Sequence, residues 1–158
     1  MAEKPIANRT VLAVFPLGKD QTSLARIFAH SHWKVRFTRL PQILTELSES
    51  PVGVIIIEAY GASGHCWKDV LLELQKMEDP PPLIVAGRLA DERLWMEVLN
   101  LGAYDLLATP FDAKEIHHAV SVACRRHEAE QEMVARRKPT MSARVASSPG
   151  ETRSASTQ

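Results

Sequence analysis

No sign of charge prevails in this 158-residue chain: nineteen Lys and Arg are matched by nineteen Asp and Glu, for a formal net charge of zero. The global positive field that draws proteins to nucleic acid or anionic membranes is therefore missing. Cysteine is nearly absent too. Cys66 and Cys124 are the two present; with no signal-like start, they exclude a disulfide scaffold and fit a reducing, cytoplasmic setting. No long apolar run exists either, since Val52 to Ile57 falls far short of the roughly 18 residues a membrane helix needs. Aromatics make up 6% of residues and all lie between Phe15 and Phe111. The core must be built in that interval, and a hydrophobic content of 45% suits one domain better than two.

Within that interval, short β-like runs alternate with helical ones. Thr10 to Phe15 is β-branched and apolar. The spacing of Leu24, Ile27 and Phe28 predicts a helix from Asp20 to His30, with Asp20 as its N-cap. Trp33, Val35 and Phe37 alternate with Lys34 and Arg36, as in a strand with one wet face near a sheet edge. Pro41 opens a short helix through Ile43, Leu44 and Leu47. Val52 to Ile57 has no polar alternation and reads as a central strand covered on both faces. A helix from about Cys66 to Met77 turns Val70, Leu71 and Leu74 inward; Pro80, Pro81 and Pro82 then deliver an extended chain to Leu83–Gly87. Asp91 to Leu101 is helical, with Leu94, Trp95, Val98 and Leu99 as its inward stripe and Gly102 just past its end. Asp105 to Ala108 is the fifth strand, and the last helix starts near Asp112 and buries Ile116, Ala119, Val120 and Ala123.

Strands separated by single helices imply right-handed βαβ crossovers and a doubly wound, five-stranded parallel sheet between helical layers. In such folds the functional crevice lies beyond the carboxyl ends of the strands. Glu58 stands at one of those ends, directly after four apolar residues. Other chemistry-bearing stretches are weaker. The loop Gly61 to Gly64 could cradle a phosphate but lacks the fuller dinucleotide fingerprint. His65, Cys66, His117, His118, Cys124 and His127 do not form two ligand pairs, so no metal site is read from them.

The stretch PPLIVAGRLADERLWMEVLNLGAYDLLATPFD resembles the second half of a response-regulator receiver domain. Leu101, Gly102 and Ala103 stand where receivers carry Leu-Gly-Ala, and Thr109, Pro110 and Phe111 where they carry Lys-Pro-Phe. The resemblance covers about residues 9 to 127. It implies a flavodoxin-like sheet of strand order 2-1-3-4-5 and places Glu58 at the phospho-acceptor position. It also marks departures at nearly every other active position. Phe15 and Pro16 stand for the metal-ligating acid pair, Gly87 (or Ala86, one residue earlier) for the hydroxyl residue, Thr109 for the lysine, and Leu106 for the aromatic before it.

A receiver needs a carboxylate nucleophile, acids for magnesium, and a hydroxyl and a lysine that answer to the phosphoryl group. The expectation is therefore a degenerate, non-enzymatic receiver with no cofactor or metal, acting as a phosphorylation-independent protein interaction module in two-component-type signalling. Its partner would be a signalling protein or a histidine kinase, and a homodimer stays open. The family's usual partner surface falls on Arg93, Trp95, Glu97, Tyr104, Lys114 and His118, although helix periodicity by itself assigns Trp95 to the core. A divergent phosphoreceiver and a small-molecule binder using the Gly61–Gly64 loop are the alternatives. Around this domain, residues 1–8 read as a lead, 128–138 as an extension of the last helix, and 139–158 as a disordered tail, poor in large apolar groups.

Overall fold

The computed structural model describes residues 6, 8–16, 18–39, 42–59, 67–88 and 91–156, with side chains through 137. Among them, strands and helices alternate: β1 (Thr10–Val14), α1 (Lys19–Ala29), β2 (Lys34–Thr38), α2 (Ile43–Glu49), β3 (Val54–Glu58), α3 (Trp67–Gln75), β4 (Leu83–Gly87), α4 (Glu92–Leu101), β5 (Asp105–Ala108) and α5 (Ala113–Ser156). The strands form one parallel sheet in the order β2-β1-β3-β4-β5. Strand order reverses at β1, which pairs with β2 on one side and β3 on the other.

Period-two alternation divides the apolar residues between two cores. Val11, Ala13, Val54, Ile56, Ile84, Ala86 and Leu107 face Leu24 and Phe28 of α1 and Ile116, Val120 and Ala123 of α5. On the opposite face, Leu12, Val14, Ile55, Ile57, Leu83 and Val85 meet Ile43, Trp67, Val70, Leu71, Leu74, Leu94 and Val98. The unbroken apolar run of β3 is thus buried from both sides, while edge strand β2 leaves Lys34 exposed.

Gly53 has no room for a side chain, because a Cβ there would collide with the carbonyl oxygen of Asn8. Its own carbonyl accepts a hydrogen bond from the buried Cys124 Sγ at 3.3 Å, which ties the entrance of β3 to α5. Asp91 caps α4 by accepting from the Leu94 amide at 2.8 Å, and Gly102 ends that helix at φ 106°, a left-handed conformation suited to glycine.

The structure corrects three local expectations. Gly18 is the N-cap of α1 and Asp20 lies inside the first turn, so the capping role assigned to Asp20 fails. Leu44 and Trp95 are exposed rather than buried, because a helix lying on a sheet buries a stripe narrower than its full apolar arc. Pro41 and Cys66 lie outside the described residues. The last helix, α5, runs from Ala113 to Ser156. The chain divides into two compact units, Met1–Arg125 and Arg126–Gln158. No described helix is long and apolar enough to cross a membrane.

Candidate functional site

The carboxyl ends of β1, β3, β4 and β5 bring Phe15, Glu58, Gly87 and Thr109 to one edge of the sheet. Each lies within a residue of its strand's last ladder position, which is why residues distant in sequence meet there. Phe15 is buried and its ring meets that of Phe111 edge-on, with centroids 5.8 Å apart, while Pro16 is exposed. Beyond β5, the Thr109 amide donates to the Gly87 carbonyl at 3.2 Å, and the Thr109–Pro110 peptide is cis. Thr109 is buried, and its hydroxyl has no hydrogen-bond partner among the described residues. Gly87 ends β4, and the amide of Ala59 donates to the Ala86 carbonyl at 2.7 Å, fixing the chain just after Glu58.

Glu58 is partly buried and flanked by charge. Loss of water raises its carboxyl above the ordinary carboxylate range, the nearby negative Asp20 raises it further, and the positive Arg88 draws it back. Two members of this group escape a reading of the sequence alone. Arg88 immediately follows Gly87, and an exposed arginine in a loop gives no signal by itself. Asp20 looks like a cap, although its position one turn beyond β1 could have marked it as facing the strand ends.

The sign of the Glu58 shift gives a pH dependence. A carboxyl that holds its proton more tightly when folded favours the folded state at low pH, and stability declines as pH rises from the ordinary carboxylate value through the raised one. Glu58→Gln removes that penalty. Thermal melts are expected to show the variant more stable than wild type at pH 7, with the gap closing in acid. A variant less stable at neutral pH would show that Glu58 is held by favourable contacts.

The donor set does not suit the magnesium ion that receivers employ. Such an ion takes oxygen ligands in near-octahedral array. Here the acid-pair positions offer a phenyl ring and a prolyl ring, and the nearby Arg88 places a positive charge within reach of Glu58. Among the described residues no group of three or more His, Cys, Asp and Glu could hold a metal.

Arg93, Trp95, Lys114 and His118 are exposed and Tyr104 is half-buried. Glu97 instead turns toward α3, where Lys68 Nζ lies 2.9 Å from its carboxylate. His117, one residue before His118, packs its ring edge-on to Phe28, with centroids 5.5 Å apart. The Gly61–Gly64 loop, with His65, lies outside the described residues.

No family model and no curated protein matches the sequence. Solved structures do match the fold. The signal receiver domain of an HD domain-containing protein from Pseudomonas fluorescens is 19% identical, with a TM-score of 0.67 over 77% of this chain and 98% of that one. A Francisella response-regulator receiver domain is 22% identical, with a TM-score of 0.62 over 75% and 98%. A response-regulator receiver domain protein from Clostridium thermocellum is 18% identical, with a TM-score of 0.62 over 76% and 97%. This chain has the receiver fold. In receiver terms, the strand-end group of Phe15, Glu58, Gly87 and Thr109 occupies the crevice side of the sheet.

Proposed function

We propose that this protein is a receiver-type signalling domain that binds a protein partner without a phosphorylation cycle and catalyses no reaction. One observation carries the reading: the positions of metal-ligating acids hold Phe15, packed against Phe111, and Pro16. A receiver switches when a new negative charge recruits a hydroxyl and a cation. Here a carboxyl group stands permanently at the strand end, and the hydroxyl and lysine positions hold Gly87 and Thr109, so the domain is held in one state.

The partner face of this reading is the exposed side of α4 with its neighbours: Arg93, Trp95, Tyr104, Lys114 and His118. Trp95 is its anchor. An indole 47% exposed on a helix is a large apolar surface with a donor at its rim, the combination enriched in binding hot spots. Trp95→Ala and Arg93→Glu are expected to remove partners recovered from the source cell by the wild-type domain, with melting temperatures nearly unchanged, since surface substitutions usually shift stability by about 0.5 kcal/mol or less. Recovery by wild type should be the same with and without a phosphodonor. Recovery that depends on phosphodonor, or survives both substitutions, would overturn the reading.

The presence of Asp20 beside Glu58 favours a second reading, a divergent phosphoreceiver using that pair of carboxylates. The two readings differ in whether a phosphoryl group is ever accepted.

A further inference from the structure

The 126–158 unit carries two large apolar side chains in the open, Met133 at 56% and Val134 at 51% exposure. Neighbours on a helix are turned by about 100°, so Met133 and Val134 flank the line along the helix that joins Glu130 to Arg137. Glu130 lies three and four residues before them and Arg137 four and three after, which sets both charges on that face, one turn to either side; both are exposed.

We propose that this face of α5 pairs with the same face of a second copy of the chain, antiparallel, about a two-fold axis passing between Met133 and Val134. Orientation follows from charge. About that axis, Glu130 of one copy falls opposite Arg137 of the other, and the exchange occurs twice. A parallel pair would instead set Glu130 beside Glu130 and Arg137 beside Arg137. Met133 and Val134 of each copy form the apolar centre, and the charged residues form its rim. The contact is short, below the roughly 1,200 Å² of a standard interface, so the dimer is weak and forms at high protein concentration.

Sedimentation velocity on the full chain, over a concentration series reaching about 1 mM, tests the pairing. Wild type is expected to pass reversibly from monomer to dimer, and added salt to weaken the dimer. Glu130→Arg and Arg137→Glu should each lower the association constant by about tenfold, since each places like charges opposite one another twice. The double substitution should restore it. Met133→Ser with Val134→Ser should abolish it, with helix content by circular dichroism unchanged. A chain that stays monomeric throughout, or a dimer indifferent to the single charge reversals, would overturn the proposal. The first result would leave the face to a different protein, and the second would favour a parallel pair.

Discussion

Incubated with magnesium and a small phosphodonor, the protein is expected to show no gain in intact mass. Acyl phosphate formation needs a metal to neutralise the donor's oxygens and a cation to hold the transferred group. Phe15 and Pro16 supply no oxygen ligand, and the ring of Phe15 is engaged with Phe111. Arg88 exerts the smallest of three influences on the Glu58 carboxyl, after burial and Asp20, and stands at neither missing position. Glu58→Asp by itself should not restore transfer, because shortening one carboxylate replaces none of the missing groups. A stoichiometric gain of one phosphoryl group in the wild type, lost in Glu58→Gln, would establish the divergent phosphoreceiver instead. Transfer appearing in Glu58→Asp would mean that Asp20 completes a working site.

Trp67→Ala is expected to cost more stability than truncation of any other fully buried side chain in the domain. Trp67 opens α3 and is 1% exposed, the largest of the fully buried side chains. It belongs to the core beneath α2, α3 and α4, together with Leu12, Ile55, Ile57 and Leu71. Removing a buried indole forfeits its transfer free energy and leaves a cavity that close-packed neighbours fill only in part, a cost of about 3–5 kcal/mol. Denaturant unfolding followed by far-ultraviolet circular dichroism measures it as a lower midpoint at unchanged slope. Trp67→Phe should lose much less. A loss below about 1 kcal/mol for Trp67→Ala would mean that the start of α3 is free to collapse or to leave the sheet.

Patterns of short range are legible in the chain itself. The uninterrupted apolar run before Glu58 implies a strand covered on both faces, and β3 is central. The alternation around Lys34 and Arg36 implies an edge, and β2 is an edge. Gly102 marks the end of α4 because a left-handed residue there favours glycine. Asp20 misleads because acidic residues are favoured both as caps and within the first turn, and the local sequence cannot separate the two. Trp95 misleads because a stripe of apolar residues says that a helix has an inward face without saying how much of that face the sheet can cover.

Side-chain patterns along the chain were enough to imply a sheet of five parallel strands and the burial of its central strands. These follow from side-chain type and spacing along one segment at a time. Tertiary structure decided which charges meet. Asp20 lies in the first turn of α1, Glu58 ends β3 and Arg88 follows β4, and only the strand order and parallel register of β1, β3 and β4 bring them to one edge of the sheet. Their influence on one another depends on that separation and on how much water remains between them, and both are properties of the packed molecule.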